Sequence, residues 1–438
     1  MSAPAQIAKT PAEEALQRHF EAVAGDLPPK TGSSAARHAA MARFGELGLP
    51  HRRIEAWKYT DLRTALRDVA RPAVGSAATV EPAALDAALG GFAALDTYRA
   101  VFVNGRLDDA LSSLPDTGGV MVAAIAADGS EPGDAGGRLE QESIVALNEA
   151  FVTDGLTIKA AREARLDKPL MIVSARTGES DLLVTLRHEI DLAPMSELTV
   201  LETAVSIGGT GGQSNTRVIA NVGDGARLTH MKIGSLTPVV DLATWSARLG
   251  RDSTYRPLQF MPGTPLARNQ SFVTFEGEGG DLDFAAGVVA NGRDHIDTTV
   301  VVEHMAPGCR SRELFKAVLD GQARAVSQGK VVVDRLAQKT DGKQMAQALM
   351  LSEDAEFDSK PELEIYADDV ACGHGSTSAR IDPEHVFYLR SRGIPQADAE
   401  ALLTEAFIAE VFDVIDDEAI RDVVVQLARD WLAANASQ

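Results

Sequence analysis

Cysteine is scarce in this 438-residue chain, which contains only two, Cys309 and Cys372. Two thiols can form one disulfide at most, so a fold held together by disulfides is not expected. In a reducing compartment, so few cysteines in so long a chain indicate chemistry or core packing instead. The stretch DDVACGHGST, residues 368–377, places Cys372 two positions before His374. This thiol is therefore the first candidate for a functional residue.

Long apolar runs and positive charge are also lacking. No uncharged apolar run reaches the length of about 18 residues that a membrane helix needs, and the start MSAPAQIAKTPAEEAL has no signal-peptide core. We therefore expect a cytoplasmic protein. The 42 Lys and Arg are outnumbered by 63 Asp and Glu, which gives a formal net charge of -21. Because this charge repels phosphate backbones and anionic lipids, neither nucleic acid nor a membrane is an expected partner.

Several catalytic motifs are missing. The glycine-rich stretch GGTGGQSN, which begins at Gly208, lacks the Gly-Lys-Ser/Thr ending of a phosphate-binding loop, and Val331 follows the dipeptide Gly329-Lys330. The chain should therefore not hydrolyse ATP. Neither a Gly-x-Ser-x-Gly nucleophile elbow nor a His-Glu-x-x-His zinc helix occurs in the sequence.

Helix signals concentrate at the two ends of the chain, in residues 1–95 and 379–438. Near the start, Thr10 and Glu13 form a capping box that predicts the first helix. Near the end, Asp382 precedes a proline and a glutamate, which is typical of a helix start. We therefore predict a helical region at each end.

Residues 96–378 show a strand pattern. Short runs rich in Val, Ile, Leu and Thr alternate with turns rich in Gly, Asn and Asp, and residues 142–155 alone are typical of a short helix. About 280 residues of strand exceed one sandwich, and the helices of a doubly wound sheet are absent. A β-solenoid, in which each coil covers the next, fits this pattern. Because no exact period is visible, a barrel or two stacked sandwiches stays open.

The Cys-x-His pair has the chemistry of a site for soft metals. On a strand, Cys372 and His374 would lie on one face. Thiolate and imidazole favour Zn, Fe or Cu over Mg, but two donors complete neither a tetrahedral zinc site nor an iron–sulfur cluster with four ligands. The alternative is a buried cysteine beside a hydrogen-bonded histidine. Further donors within the chain could be Cys309, His304, His295, Asp368 and Asp369.

A second cluster of acids lies in the stretch GRDHIDTT. Asp294, His295 and Asp297 could act as an acid/base group of the kind that hydrolyses sugar polymers with paired carboxylates. Turn formation explains the same residues, because Asn, Gly and Asp favour turns for backbone reasons.

Longer motifs carry a more specific signal. The stretches RRIEAWKYTDLR, DTTVVVEHMAPGCRSRELFKAVL, AQKTDGKQMAQALMLS, KPELEIYADDVACGHGST and HVFYLRSRGIPQADAEALLTEAF together resemble the SufD family of the SUF iron–sulfur cluster assembly system. The likeness extends from about Ile54 to Phe412. It implies an N-terminal helical region over residues 1–95, a right-handed parallel β-helix over 96–378 and a C-terminal helical subdomain over 379–438.

The resemblance also implies a function. A SufD-like chain is a non-catalytic scaffold subunit whose β-helix pairs with that of SufB and whose C-terminal helices bind the ATPase SufC. His374 would lie at the SufB interface with Cys372 close by, and iron or a cluster would be held there transiently, with no cofactor bound stably by this chain alone. A homodimer is possible when SufB is absent. Helical periodicity places Leu403, Phe407 and Val411 on one stripe, which either binds SufC or caps the solenoid.

Two departures refine the resemblance. The SufD family usually has serine between the motif cysteine and histidine, where this chain has Gly373. SufB-like relatives have a cysteine near KQMAQALML and a glutamate at the position of Gly375, and this chain has neither. These differences favour SufD over SufB. Two other functions stay open, a purely structural brace for SufB and a β-helix carbohydrate-active enzyme that uses Asp294 and Asp297.

Overall fold

The computed structural model describes residues 9–75, 78–115, 118–125, 139–178, 181–208, 211–234 and 239–435. The start MSAPAQIA and residues 209–210 of the glycine-rich stretch therefore lie outside the described residues. The chain is mainly β, with two ten-stranded sheets that form a parallel β-solenoid between N-terminal and C-terminal helices. The predicted β-helix with helical ends is confirmed, and the barrel and the stacked sandwiches are wrong.

Strands alternate between the two sheets along the chain. The first sheet contains β1 (Arg71–Pro72), β4 (Val120–Ala124), β5 (Asp154–Ala160), β7 (Leu182–Leu192), β9 (Gln213–Val222), β11 (Val240–Leu249), β13 (Leu266–Phe275), β15 (His295–His304), β17 (Arg324–Val333) and β19 (Glu356–Ile365). The second contains β2 (Tyr98–Val103), β3 (Arg106–Leu107), β6 (Leu170–Thr177), β8 (Glu197–Ile207), β10 (Arg227–Ile233), β12 (Thr254–Pro262), β14 (Asp281–Ala290), β16 (Arg310–Leu319), β18 (Asp341–Met350) and β20 (Gly373–Ala379). From β5 onward, each strand pairs in parallel with the strand two places later.

Eight α-helices occur in the described part of the chain. They are α1 (Pro11–Val23), α2 (Ser34–Leu47), α3 (Leu62–Ala65), α4 (Pro82–Leu89), α5 (Ser143–Phe151), α6 (Pro383–Ser391), α7 (Gln396–Ala409) and α8 (Glu418–Asn435). Short 3-10 helices cover Pro29–Thr31, Glu55–Trp57, Gly90–Ala94, Leu139–Gln141 and Glu410–Val414. The capping box predicted at Thr10 begins α1, and Asp382 caps α6 as expected. Among the described residues, no helix is both long enough and apolar enough to cross a membrane.

The strand register explains why the sequence shows no fixed period. Arg310 of β16 pairs with Asp281 of β14, 29 residues before it, and with Asp341 of β18, 31 residues after it. The strands are equally long, so the turns between them differ in length. Ladder hydrogen bonds need matching strands and tolerate variable loops, because a longer surface loop costs little free energy. A sequence repeat of constant length is therefore not required.

The space between the two sheets forms the main apolar core. Successive strand residues point alternately into and out of the solenoid, so equivalent inward positions stack into rows. One inward row of the second sheet shows this stacking, with Val288, Ala317 and Ala348 all buried. Each fully buried Val contributes about 1.5–3 kcal/mol to the free energy of folding. The rows therefore hold the turns together.

The helical regions cover the outer faces of the sheets. Helices α1, α2, α3 and α5 pack on the first sheet, where Leu183, Leu242 and Leu266 join their apolar cluster, whereas α4 packs on the second sheet. The C-terminal helices pack on the second sheet through Ile408 and Phe412. Apart from the two-residue strand β1, the strands begin at Tyr98 and end at Ala379, close to the predicted boundaries. The division of the chain into domains stays a prediction.

Gly155 of β5 provides a test of the close packing between turns. A Cβ atom there would lie 1.6 Å from the carbonyl oxygen of Arg187, a backbone atom that cannot move aside. We expect Gly155→Ala to lower the free energy of unfolding by about 3 kcal/mol, measured by chemical denaturation. The control Gly25→Ala, where nothing lies within 4 Å, should change it by less than about 1 kcal/mol. Equal effects of the two substitutions would contradict this packing.

Candidate functional site

The candidate site lies at the C-terminal end of the solenoid. In the described chain β19 and β20 are the last strands of their sheets, each paired on one side, with β17 and β18 respectively. None of the residues of β19 is fully buried, in contrast to the strands before it. His374 lies on β20 opposite Gln344 and is exposed. The end of the row therefore presents an imidazole to solvent.

Cys372 lies one residue before β20 and is turned toward the interior. It is half-buried and packs against the main apolar core. A Cβ atom on Gly342 would lie 3.5 Å from the Cys372 Sγ and 3.4 Å from the Ser311 Oγ, so the missing side chain leaves room for the thiol. Burial raises the pKa of this thiol, and a backbone hydrogen bond from Gly342 offsets only part of that effect. At neutral pH the group is a thiol rather than a thiolate.

His374 lines a groove at the edge of the second sheet. Gly373 and Gly375 have no side chains, and the groove between them and the flanking Lys343 has a volume of about 480 Å³. Strand alternation places His374 on the same face as Cys372, the face that also carries Gln344. The thiol is directed inward and the imidazole is accessible, so His374 is the donor that an incoming metal would meet first.

The other predicted donors are distributed differently. His304 is fully buried, stacks on Phe275 at 4.6 Å between ring centroids, and places its Nε2 3.1 Å from the Ser311 Oγ. Burial lowers its pKa to about 4, so it is neutral. Cys309 is buried with its Sγ 3.3 Å from the carbonyl oxygen of Gly277. These two residues are therefore packed inside the solenoid and do not face the groove beside His374.

The acidic pair Asp368 and Asp369 stays near the surface. Both side chains are exposed, and Asp369 forms an ion pair with Lys339. In the ranges that the structure describes, no group of three or more His, Cys, Asp or Glu is arranged to hold a metal ion. Cys372 and His374 therefore have no third donor of these types from the described chain beside them.

The cluster in GRDHIDTT is part of an internal contact. Asp297 is fully buried and forms an ion pair with Arg268, and it also accepts a hydrogen bond from Thr60. The His295 Nε2 lies 2.9 Å from the same hydroxyl. Trp57 covers the Arg268 guanidinium at 4.1 Å. This cluster anchors the segment RRIEAWKYTDLR on the first sheet, so two of the long motifs meet in space.

Comparison with known proteins identifies the family of the chain. Residues 175–407 match the family model "SUF system FeS cluster assembly, SufBD core domain", and residues 30–172 match "SufBD protein N-terminal region". The chain belongs to the SufBD family. It is 35% identical over 400 residues to the iron–sulfur cluster assembly protein SufD of Escherichia coli, covering 90% of this chain and 92% of that protein.

Two further relatives extend the comparison. A SufBD family protein of Synechocystis is 30% identical over 86% of each chain. The SufD protein of Bacillus subtilis is 27% identical over 67% of each chain. The names of these relatives describe assembly proteins rather than enzymes.

The three residues of the predicted stripe on the C-terminal helices differ in burial. Val411 is fully buried in the apolar cluster on the second sheet. Phe407 is half-buried beneath the Lys316 Nζ, which lies 4.4 Å from its ring centroid, and Leu403 is also half-buried. A surface role for Val411 is therefore inconsistent with its position, and capping of the sheet accounts for it. Partner binding by Leu403 and Phe407 stays a prediction.

Other apolar residues of these helices are exposed. Phe387, Tyr388 and Leu402 keep 75%, 57% and 49% of their surface accessible, and no residue of α6 is buried. These exposed residues were not predicted from the sequence. The signal was present in HVFYLR, where two neighbouring aromatic residues cannot both face a single core.

One buried acid was also missed. Glu313 of β16 points into the solenoid and is 8% exposed. Alternation along RSRELFKAVL could have revealed it, since Ser311, Glu313, Phe315 and Ala317 occupy every second position and all are buried.

Asp297 gives a test that separates an anchor from an enzyme. We expect Asp297→Ala to lower the free energy of unfolding by about 3–5 kcal/mol, because it leaves the buried Arg268 charge without its partner. Asp294→Ala is the control. Asp294 is only half-buried and accepts one backbone hydrogen bond, from Asn291, so its loss should cost about 1 kcal/mol.

Chemical denaturation of both variants measures these differences. If both variants kept wild-type stability and a sugar-polymer turnover were lost, the acid/base interpretation of the cluster would be supported and the anchor contradicted.

Proposed function

We propose that this chain acts in SUF iron–sulfur cluster assembly as a SufD-type scaffold subunit that is not itself an enzyme. The observation that carries the proposal is an exposed histidine, His374, on the last strand of the solenoid, in a member of the SufBD family. The nascent cluster or iron is the cargo of the site. Donors from a second subunit complete the ligand set that Cys372 and His374 begin.

The free edges of the last strands support a partner of the same architecture. A strand at a sheet edge presents unpaired backbone donors and acceptors, which another strand can use. β19 and β20 both end their sheets on the same side of the solenoid. We propose that the β-helix of SufB pairs there, which brings its donors next to His374. When SufB is absent, a second copy of this chain could occupy the same edges.

The two donors of this chain have different roles in this proposal. An exposed imidazole can bind iron without rearrangement, whereas the Cys372 thiol must lose a proton and turn outward. His374 is therefore the primary donor and Cys372 a secondary one. The inward thiol also favours a second candidate function, in which this end of the solenoid only braces SufB and Cys372 merely packs.

The C-terminal helices supply the second contact of the scaffold. We propose that SufC binds the exposed face made of Phe387, Tyr388 and Leu402 on α6 and α7, with Leu403 and Phe407 at its border. Large apolar side chains that monomers leave exposed in a group are typical of interaction sites. This contact provides the ATPase activity for which the chain has no phosphate-binding loop.

His374→Ala tests the site. We expect the complex with SufB and SufC to form as before, while the yield of cluster in anaerobic reconstitution falls at least tenfold, because the accessible imidazole is lost. Ser376→Ala is the matched control, since it truncates an exposed polar side chain on the same strand. Unchanged cluster yield in His374→Ala would remove this residue from the site and favour the brace.

Phe387→Asp tests the docking face. A charge on this exposed residue should abolish co-purification with SufC without lowering the thermal unfolding midpoint, because Phe387 makes no core contact. The control is Leu336→Asp, which alters a residue of equal exposure, 75%, in the turn after β17. Retention of SufC by Phe387→Asp, or its loss in Leu336→Asp, would contradict this surface.

A further inference from the structure

A row of polar side chains leads inward from His374. Strand pairing places Glu313 of β16 opposite Gln344 of β18, and Gln344 opposite His374 of β20. Because the three positions are consecutive in one row, Gln344 separates the other two, and Glu313 lies two strand spacings, or about 10 Å, from His374. The row connects a buried carboxyl group to the candidate site.

Glu313 and Gln344 are joined by one hydrogen bond. The Gln344 Nε2 donates to the Glu313 Oε2 at 3.0 Å, and both side chains are more than nine-tenths buried. In the described chain the remaining oxygens, Oε1 of Glu313 and Oε1 of Gln344, have no partner. Both are acceptors if the acid is ionised. A single proton on Glu313 would turn one of them into a donor and allow a second hydrogen bond within the pair.

No cation compensates a charge on Glu313. The cavity of about 30 Å³ beside it is lined by apolar groups, hydroxyls, backbone and the side-chain amides of Gln328 and Gln344, and Glu313 is the only ionisable residue among the described residues that line it. The strands packed against β16 and β18 contribute Phe284 and Ala286 of β14, Thr298 and Val300 of β15, Ser327, Gln328 and Gly329 of β17, and Ser359 and Pro361 of β19 to this lining.

The charged side chains nearest in sequence are directed elsewhere. Arg312 pairs with Asp341 and Lys316 pairs with Glu410, on the outer face of the sheet. An isolated buried carboxylate is costly, so burial raises the pKa of Glu313 to about 8.

We propose that Glu313 is a carboxylic acid at neutral pH, that it shares its proton with Gln344, and that this pair releases the proton when a cation binds at His374. The O–H bond of the acid breaks, its electron pair stays on the carboxylate, and the proton leaves to solvent. A positive charge about 10 Å away favours the carboxylate, because the interior between them screens it weakly. Glu313 is thus a positioning residue: it becomes negatively charged in the interior when a cation binds at His374.

Folding stability should decrease as the pH rises. In the unfolded chain Glu313 ionises near pH 4.5, whereas in the folded chain it keeps its proton up to about pH 8. The stability that this proton contributes is complete below pH 4.5 and is lost as the pH rises toward 8. Glu313→Gln keeps the shape and can still pair with Gln344, but it has no proton to lose.

The first experiment measures unfolding of the full chain by denaturant at several pH values. Relative to Glu313→Gln, the unfolding equilibrium constant of the wild type should rise about tenfold per pH unit between about pH 5 and 8. Glu278→Gln, an exposed glutamate in a turn, is the control and should show no such slope. A ratio that does not change with pH would overturn the proposal. Glu313→Met provides a second uncharged variant if Glu313→Gln fails to fold, with the same expected slope.

The second experiment tests the coupling, which rests on the proposed function of His374. Calorimetric titration of the full chain with Co²⁺, in two buffers of different ionisation enthalpy at pH 7, counts the protons released. The wild type should release about one proton more per Co²⁺ than Glu313→Gln. Equal release, or no binding of Co²⁺ to the wild type, would overturn the coupling. If His374→Ala bound Co²⁺ like the wild type, the proposed role of His374 would fail while the pH slope of Glu313 stood.

Discussion

Parallel pairing between successive turns is the constraint on which this structure depends. Each strand forms hydrogen bonds with the strands of the preceding and following turns in constant register, although the loops between them vary. Because the register is constant, residues about 30 positions apart in the sequence become neighbours in rows. The apolar rows form the core, and the outer rows provide the faces on which the helical regions pack.

The candidate site exists because these rows end. Inside the solenoid a polar side chain is covered by the next turn, as His304 and Cys309 are. At β20 the described sheet has no further turn, so a histidine in an inward row becomes accessible while keeping a fixed backbone position. An accessible donor on a rigid strand, beside an edge that can pair, suits a site shared by two subunits. Glu313 stays buried two strands away from His374, close enough for its ionisation to respond to a charge bound at that histidine.

The sequence predicted the architecture better than the site. Strand alternation and cap residues such as Thr10 and Asp382 are local signals, and the structure confirms the elements that they predict. The partners of Asp297 depend instead on register across turns of unequal length, which composition does not specify. Because Arg268 precedes it by one turn and Thr60 belongs to another region, the buried contacts of this cluster could not be predicted from its local sequence.

The sequence also could not predict which face of the C-terminal helices packs on the second sheet. Helical periodicity places Val411 and Leu403 on one stripe, but it cannot say whether sheet or solvent meets that stripe. The second sheet meets it and buries Val411, while the aromatic residues of α6 remain outside. Similarly, the inward turn of Cys372 depends on Gly342, a residue 30 positions earlier whose missing side chain matters only after the rows have formed.

We propose that the His374 imidazole binds the cargo of a site that a second subunit completes. The most direct measurement is pulsed electron–nuclear spectroscopy of the cluster assembled anaerobically on the complex, with ¹⁵N-histidine incorporated only into this chain. We expect a ¹⁵N coupling from one histidine that disappears in His374→Ala. A cluster with no ¹⁵N coupling from this chain would contradict it.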